Sequence, residues 1–358
     1  MFDVVIIGGG IIGLLTAKEL QIAGASVTII EKNSPGQQAS WAAGGILSPM
    51  RPWHYSDAVN AISSISQSVY QELSNELLTE TGVDPEWLLA GMLVLNDEET
   101  ADALTWCKEH DDLHELLSVE QLSDTFSHLK PINEAALLRS NVATIRPHKL
   151  LAALRAFLVI RGVTFIEQDA KNLLTSTQHI NGVQLESEIV KGGEYIICSG
   201  AWSPQLLPKN KTADIRPVKG QMICFPPTDI PTSCMVMDGN RYIIPRKDGR
   251  IVVGSTRENT KFDASTTQQA FNDLRDFAQQ LYPALANIEP DAHWAGLRPS
   301  SPDSIPYICR IEPYKNLSLN AGHYRNGIVT APASAQLMVD ILLNKSSNID
   351  PTPYGLVR

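Results

Sequence analysis

The sequence predicts an α/β (α+β) fold, in which an antiparallel-sheet domain is inserted into a Rossmann-type nucleotide-binding domain. Three observations lead to this prediction. A β-α-β unit occupies about the first 30 residues. Further apolar strands near residues 164, 196 and 318 suit the same sheet. Strands spaced like a hairpin lie between them.

Length and composition are those of a folded protein of about two domains. The chain has 358 residues, of which 43% are hydrophobic and 19% charged, and its formal net charge is −10. Because a phosphate-backbone binder needs clustered Lys and Arg, no nucleic-acid partner is expected. No apolar run reaches the ~20 residues of a membrane helix. Val4–Ile7 is too short for a signal-peptide core, so a cytoplasmic protein without an integral membrane segment is predicted.

The β-α-β unit begins with Phe2–Ile7, a run rich in β-branched residues that is typical of a strand buried on both faces. It continues into Gly-x-Gly-x-x-Gly at 8–13 and a helix whose apolar face begins at Ile11. A second strand, Val27–Ile30, is followed by Glu31. This order is the fingerprint of a dinucleotide-binding turn.

Each residue type in this turn has a physical reason. Gly8 permits the tight turn, Gly10 lets the backbone approach a diphosphate, and Gly13 lets helix and strand pack closely. The helix N-terminus offers free N–H groups to the diphosphate, and Glu31 can accept hydrogen bonds from ribose hydroxyls. The unit predicts dinucleotide binding but leaves open whether FAD or NAD is bound.

Other features favour FAD. The chain has a single such turn, which disfavours a reductase that uses two dinucleotides. Small residues in Ser40–Leu47 would let the backbone pass close to a flat ring. In Leu317–Ile328 a strand is followed by a glycine-rich turn, and the helix Ala331–Leu343 comes next. The N-terminus of that helix could hold the electron-rich end of a reduced flavin.

The inserted domain is predicted from strands of another character. Arg241–Arg246 and Arg250–Gly254 flank Lys247-Asp248-Gly249, which predicts a β-hairpin, and Ile215–Phe225 is a further strand. The predicted division assigns two sets of segments, the cofactor-binding domain at 1–84, 141–215 and 292–358, and the substrate-binding domain at 85–140 and 216–291.

Two strings in the chain are specific: Trp-Ala-Gly-Leu-Arg-Pro at 294–299 and Gly-His-Tyr-Arg-Asn-Gly-Ile at 322–328. With Val5–Gly13, Pro217–Gly220 and Tyr242–Arg246 they keep a common order and spacing. On these motifs the chain resembles, from end to end, the flavoprotein family of D-amino-acid oxidase and sarcosine oxidase. The resemblance is strongest to the glycine-oxidising branch linked to thiamine thiazole synthesis.

The resemblance implies a site. Arg298 would hold a substrate carboxylate, with Tyr242 beside it and Arg325 near the same pocket. A guanidinium suits this role because its planar fork matches a carboxylate with two parallel hydrogen bonds. The alternatives are a structural ion pair for Arg298, a core aromatic for Tyr242 and a surface salt bridge for Arg325. The residues implied to bind FAD are Gly8, Gly10, Ile11, Ile12, Gly13, Glu31, Lys32, Ala39, Ser40, Gly44, Gly45, Ile46, Ala170, His323, Tyr324, Arg325, Asn326, Gly327, Ile328 and Val329.

Some positions depart from the family pattern. Asn240 stands where close relatives have His, and Arg257 stands where the pattern is apolar. Arg257 would either bind an acidic side chain in the pocket or point to solvent. The five cysteines are scattered without metal-ligand spacing, so no metal is expected and the thiols are predicted to be reduced and inert. Cys309 is not placed like a flavin-linking cysteine, which implies non-covalent FAD.

The activity implied by the resemblance is oxidative deamination of glycine, small N-alkylglycines or small D-amino acids. Hydride would pass from Cα to flavin N5, the imine would hydrolyse, and O2 would reoxidise the flavin to give H2O2. The main alternative is a flavin-dependent D-amino-acid dehydrogenase that passes electrons to a quinone or another acceptor. An NAD-dependent dehydrogenase and a flavin-binding protein without turnover are further alternatives. The expected partners are a small amino acid, O2 and further copies of the chain in a homo-oligomer.

Overall fold

The computed structural model describes residues 2–95, 99–130, 132, 134–232 and 234–357. The helices in these residues are α1 Ile11–Ile22, α2 Asp57–Thr81, α3 Thr100–Glu109, α4 Val119–Thr125, α5 Pro147–Ile160, α6 Ser203–Leu206, α7 Gln268–Leu281 and α8 Ala331–Leu343. The strands are β1 Phe2–Ile7, β2 Val27–Glu31, β3 Ile46–Leu47, β4 Leu88–Leu89, β5 Met92–Leu95, β6 His114–Leu117, β7 Ala136–Arg139, β8 Ala143–Thr144, β9 Thr164–Glu167, β10 Asn172–Thr175, β11 Ile180–Gln184, β12 Ile189–Val190, β13 Gly192–Ile197, β14 Arg216–Phe225, β15 Met235–Asp238, β16 Arg241–Pro245, β17 Ile251–Gly254, β18 Ala292–Ser300, β19 Tyr307–Arg310 and β20 Leu317–Ala321.

A six-stranded sheet in the order β19-β20-β13-β1-β2-β9 carries the predicted dinucleotide-binding unit. Its neighbouring strands are parallel, except for the antiparallel pair β19 and β20. Val4 and Ile6 pack against α1, α5 and α8 on one face, and Val5 and Ile7 pack into a second cluster on the other. This alternation explains why β1 is apolar along its length, and it confirms the Rossmann-type part of the predicted fold.

An eight-stranded sheet in the order β18-β14-β17-β16-β15-β5-β7-β6 forms the second layer. It is antiparallel, as predicted, apart from the parallel pair β15 and β5. The predicted hairpin is confirmed, since β16 and β17 pair directly. One face packs against α7, whose apolar residues include Leu274 and Phe277. Two small sheets, β10-β11-β12 and β3-β8-β4, complete the strand pairing.

Strand β18 departs from the predicted division of the chain. It pairs with β14 along its length, with Arg298 opposite Val218 and Gly296 opposite Gly220. Residues 292–300 therefore belong to the larger sheet, whereas the sequence places them with the cofactor-binding segments. The remaining domain boundaries stay predictions. None of the helices in the described residues has the length and apolar character that crossing a bilayer requires.

A buried ion pair joins the far part of the larger sheet to the rest of the fold. Arg139, at the end of β7, is 1% exposed. Its Nη2 lies 2.6 Å from Oδ2 of Asp112 and its Nε lies 3.2 Å from Oδ1, while Nη1 donates to Ser48 over 3.1 Å. Both charges are removed from water, so each depends on the other for compensation.

Replacing Asp112 with Ala should lower the free energy of unfolding by about 3–5 kcal/mol, because it leaves the buried Arg139 cation unpaired. Urea unfolding followed by circular dichroism measures this loss. Glu167→Ala is the matched control, since Glu167 and Arg155 form an ion pair in which both side chains are more than two-fifths exposed. The control should change stability by less than about 1 kcal/mol, and equal effects of the two substitutions would contradict the prediction.

Candidate active site

A cleft of about 450 Å3 lies between the carboxyl ends of β1, β2 and β13 and the face of the larger sheet that carries β14, β16 and β18. The carboxyl edge of a parallel sheet is where α/β proteins bind their ligands. Seven stretches of the chain contribute to the lining, with Tyr55, Gly220, Met222 and Tyr242 in addition: 7–12, 30–33, 38–50, 169–171, 198–206, 296–299 and 320–328.

One end of the cleft is the glycine turn between β1 and α1. Gly8 has φ +116°, and a Cβ there would lie 2.4 Å from the carbonyl oxygen of Cys198. A Cβ on Gly13 would lie 2.0 Å from the carbonyl oxygen of Gly8, so only glycine fits at both positions. The N–H of Gly9 donates to Glu31 Oε2 over 2.7 Å, which fixes this carboxylate beside the turn.

The segment 39–46 forms the middle of the cleft, and Arg246 holds it from the larger sheet. The Arg246 guanidinium donates to the carbonyl oxygens of Gly44 over 2.7 Å and of Ile145 over 3.1 Å. Burial, together with the nearby Arg146, lowers the pKa of Arg246 to about 10, so the side chain is still a cation at neutral pH. Sequence reasoning did not identify this role, because nothing local to Arg246 indicates a contact with Gly44.

The turn 323–328, between β20 and α8, forms another wall. Tyr70 of α2 donates a hydrogen bond to the carbonyl oxygen of Ile328 and so ties this turn to the helical layer. Asn326 Nδ2 and Asn320 Oδ1 are buried at the cleft wall and have no hydrogen-bond partner among the residues that the structure describes. Since an unpaired buried polar atom is costly, both amides suit polar atoms of a bound ligand.

Arg298 lies at the opposite end, on β18. A Cβ on Gly220 would lie 2.0 Å from Arg298 Nη2, so the guanidinium rests directly on the bare backbone of β14. Its Nη1 donates to the carbonyl oxygen of Thr256 over 3.1 Å, and its Nη2 donates to Ser255 Oγ over 2.8 Å. Both acceptors are neutral. Within the described ranges Arg298 forms no ion pair, so the predicted alternative of a structural ion pair has no support here.

The surroundings of Arg298 are aromatic and cationic. Burial lowers the pKa of Arg298, the neighbouring Tyr242 opposes this shift, and the charge of Arg325 adds to it. Tyr242 is buried, and its hydroxyl lies 3.9 Å from the sulfur of Met222. Arg325 points its Nη2 at the sulfur of Met50 over 3.6 Å. This end of the cleft therefore combines two guanidinium groups with a phenol, which is a setting for an anion.

The structure brings most of the predicted site residues to one cleft. Arg298, Tyr242 and Arg325 line it, together with the predicted FAD-binding residues other than Gly13 and Val329. Gly13 lies beneath the turn in α1, and Val329 is buried behind the wall.

The cleft also has lining residues that the sequence analysis did not predict. Among them are Met50, Tyr55, Trp202, Gln205, Gly220 and Met222. Gly220 and Met222 could have been found from the alternation along β14, which places both on one face of the sheet. Met50 and Tyr55 carry no local signal.

The two departures from the family pattern lie away from this cleft. Asn240 occupies an exposed turn, and Arg257 is exposed and does not line the cleft. Of the two alternatives for Arg257, the structure favours the one in which it points to solvent.

Metal-ligating side chains and thiols are also present among the described residues. No group of three or more His, Cys, Asp or Glu side chains there could hold a metal ion. All five cysteines are free, and four of them are buried. Cys198 lines the cleft next to the glycine turn, but burial raises the pKa of its thiol far above neutrality. Cys309 lies on β19, outside the cleft lining.

Comparisons with known proteins agree on one family. A family model described as FAD dependent oxidoreductase, DAO, matches residues 3–341. A glycine oxidase of Pseudomonas aeruginosa is 41% identical over 98% of this chain and 98% of its own length. The bifunctional protein ThiO/ThiG of Trichormus variabilis is 30% identical over 97% of this chain and 53% of that protein. The crystal structure of glycine oxidase from Geobacillus kaustophilus superposes with a TM-score of 0.94, at 26% identity, over 100% of this chain and 98% of its own.

The buried His323 makes a prediction about pH. Its Nε2 lies 3.1 Å from Ser334 Oγ, and burial lowers its pKa from 6.5 to about 3. Below pH 6.5 the unfolded chain takes up a proton at this residue that the folded protein does not. The free energy of unfolding therefore decreases as the pH is lowered. Between pH 8 and pH 5 this residue should account for a loss of about 2 kcal/mol in the free energy of unfolding.

The comparison is between the wild-type protein and His323→Gln, both unfolded by urea at pH 8 and pH 5 with FAD in excess. The variant should lack this share of the pH dependence, while the other buried histidines contribute equally to both proteins. The same slope in both proteins would show that His323 titrates normally.

Proposed function

This chain belongs to the DAO family of FAD-dependent oxidoreductases, and we propose that it oxidises glycine, with small N-alkylglycines and small D-amino acids as further substrates. It is an FAD-dependent amino-acid oxidase. The family match favours FAD over NAD, the choice that the glycine turn alone leaves open. The observation that supports the substrate proposal is the half-buried Arg298 guanidinium, which neutral acceptors hold at the cleft wall. The names of relatives that match along their whole length agree with it.

The cleft fits FAD in shape and in polar groups. The glycine turn leaves room for a diphosphate, and Glu31 stands beside it as an acceptor for ribose hydroxyls. Asn326 lines the cleft, and its Nδ2, which has no partner among the described residues, can donate to an oxygen or nitrogen of a flavin ring. We assign the Gly10–Ile12 backbone to the diphosphate, and we assign segments 44–46 and 323–329 to the isoalloxazine. Cys198 is the cysteine of the described lining and is buried by the glycine turn, which supports non-covalent binding.

FAD bound in this cleft supplies a two-electron acceptor for the hydride that leaves the substrate Cα. The residues of the chain provide binding and orientation. Arg298 receives the substrate carboxylate through its planar fork, and the Tyr242 hydroxyl donates to the same group. The larger sheet covers one side of the substrate, because Met222 and Gly220 of β14 line the cleft beneath Arg298. A small zwitterion held by its carboxylate has little freedom to turn its Cα away.

A proton must also leave the substrate amine, and the lining offers no carboxylate near Arg298 to take it. In the described lining the carboxylates are Glu31, which is fixed beside the glycine turn, and Asp169, which follows β9 next to β2. His323 is neutral and is engaged with Ser334. We therefore propose that water accepts the proton. The imine product then hydrolyses to an oxo acid and ammonia, or passes to thiamine thiazole synthesis as the resemblance implies.

Anaerobic glycine should bleach the flavin absorbance of the purified holoprotein, and in air the protein should release one H2O2 per glycine consumed. Sarcosine, D-alanine and L-alanine complete the panel. Bleaching without H2O2, coupled to reduction of an added quinone, would identify the alternative dehydrogenase and would replace O2 as the acceptor. A spectrum that no amino acid of the panel changes would refute the proposed activity. The predicted homo-oligomer and cytoplasmic location stay predictions.

Arg298→Ala should lower kcat/KM for glycine about 30- to 1000-fold, because losing charge-assisted hydrogen bonds to a carboxylate costs about 2–4 kcal/mol. FAD should stay bound, since the residue lies at the substrate end of the cleft. Steady-state kinetics and the flavin spectrum measure both effects. Arg257→Ala, which removes an exposed arginine of the neighbouring loop, should leave kcat/KM unchanged. An effect of Arg298→Ala below threefold would place the carboxylate anchor elsewhere.

A further inference from the structure

We propose that Lys219 and Glu258 form a positioning pair for Arg298, on the side of β14 that faces away from the cleft. Hydrogen bonds around the pair hold the segment that carries both acceptors of the guanidinium, and the Lys219 charge offsets the Glu258 carboxylate. This inference rests on the proposed role of Arg298 in binding the substrate carboxylate. Neither residue touches the cleft, so both are positioning residues and not catalytic ones.

The segment concerned follows β17 directly. Ser255 and Thr256 are uncharged, and they supply the hydroxyl and the carbonyl oxygen that accept hydrogen bonds from Arg298. β17 ends at Gly254, so the regular ladder with β14 stops one residue before these acceptors. Something other than the regular ladder must therefore fix their position.

Backbone hydrogen bonds to β14 resume after this break. Thr256 N–H donates to the carbonyl oxygen of Gln221 over 3.2 Å. Lys219 and Glu258 exchange both of their backbone hydrogen bonds, each of 2.9 Å. The segment 255–258 is thus a short extension of the sheet, anchored at residues 256 and 258.

Side chains on the far face of β14 lock this extension. The Thr256 hydroxyl donates to Glu258 Oε1 over 2.5 Å and accepts from the Gln221 N–H over 2.9 Å. Gln221 Nε2 donates to the same carboxylate oxygen over 2.8 Å, and Lys219 Nζ lies 3.2 Å from its other oxygen. Alternation along β14 puts Lys219 and Gln221 on the face opposite to Gly220 and Met222, which line the cleft.

The charges of this network explain why an ion pair is needed there. Glu258 is two residues from Thr256, whose carbonyl oxygen accepts from Arg298. Without a counter-charge, a carboxylate in this segment would attract the guanidinium and weaken its hold on a substrate anion. Lys219 is 2% exposed and is directed at Glu258, at the carbonyl oxygen of Ser265 and, over 3.6 Å, at Asp263. Its charge therefore offsets the Glu258 carboxylate, so the positive charge of Arg298 stays available to attract an anion in the cleft.

The pKa of Glu258 agrees with this arrangement. Burial raises it, but the hydrogen bonds from Thr256, Gln221 and Lys219 lower it more, so the carboxyl has a pKa below its usual range. The carboxylate is ionised wherever the protein is folded near neutral pH, and a permanent counter-charge is required to cancel it.

The test compares Lys219→Met, Glu258→Gln and the double variant as holoenzymes. The readouts are kcat and KM for glycine, and the dissociation constant of acetate, an unreactive carboxylate detected by its shift of the flavin spectrum. Lys219→Met should raise KM and the acetate dissociation constant about tenfold or more, with kcat changed less than about threefold, because it exposes Arg298 to an uncompensated carboxylate.

The double variant distinguishes positioning from plain structural loss. Removing the Glu258 charge as well should restore both constants to within about threefold of the wild type. A double variant as poor as Lys219→Met, or poorer, would overturn the proposal. If Lys219→Met does not fold, Thr256→Val replaces it. That variant should raise KM and the acetate constant about fivefold through the displaced acceptors, and unchanged constants would overturn the proposal.

Two controls separate this proposal from the proposed function. Arg310→Met removes a partly buried ion pair with Glu194 outside the cleft, and it should lower the melting temperature without changing the acetate constant. Arg298→Ala is the reference for loss of the anchor. If Arg298→Ala does not weaken acetate binding, the proposed function fails. If it does, while Lys219→Met and Thr256→Val do not, only the positioning role fails.

Discussion

The site depends on a half-buried guanidinium that neutral acceptors only partly satisfy. Arg298 donates hydrogen bonds to Thr256 and Ser255, and no carboxylate of the described residues forms an ion pair with it. A cation that is partly removed from water and has no counter-ion is costly to the folded protein, and a bound carboxylate would relieve that cost. Part of the substrate's binding free energy would therefore come from a guanidinium that the fold leaves without a counter-ion. Each charge-assisted hydrogen bond contributes about 1.5–3 kcal/mol. Residues that keep anions away from Arg298 are therefore as important as those that touch it.

The fold makes room for this guanidinium by leaving side chains out of the larger sheet. Gly220 lies under Arg298, and Gly254 lies under the ring of Tyr242, where a Cβ would come within 2.8 Å of Cε2. A Cβ on Gly296 would lie 2.5 Å from Cβ of Ala42, in the segment that runs through the middle of the cleft. The three glycines lie on neighbouring strands. The surface of the sheet is therefore free of side chains where Arg298, the Tyr242 ring and the segment that contains Ala42 pack against it. Any larger residue at these positions would displace part of the site.

Local patterns predicted the parts of the fold that local physics determines. The turn at 8–13, the hairpin around Asp248 and the start of α8 each depend on residues a few positions apart, and the structure confirms them. The pairing of β18 with β14 brings together segments far apart in sequence, and no periodicity within either strand selects that partner. The contacts of Arg246 and of the Lys219 network are of the same kind. The motif resemblance identified Arg298, but only the strand pairing shows that Arg298 extends from the larger sheet.

The distribution of charge in the cleft also explains how the proposed oxidation proceeds without a dedicated base. The chain carries a net charge of −10, yet its substrate end presents Arg298 and Arg325, while the lining carboxylates Glu31 and Asp169 come from the ends of β2 and β9 in the six-stranded sheet. A carboxylate is drawn to the guanidinium groups, but the ammonium group of the same zwitterion is repelled by them. Since like charges favour the neutral form, we expect binding to lower the pKa of the substrate amine and to favour release of its proton to water. The free lone pair that hydride loss requires is then favoured by the positive charge of Arg298 and Arg325, the first of which also orients the carboxylate, and a catalytic carboxylate placed near them would undo both effects.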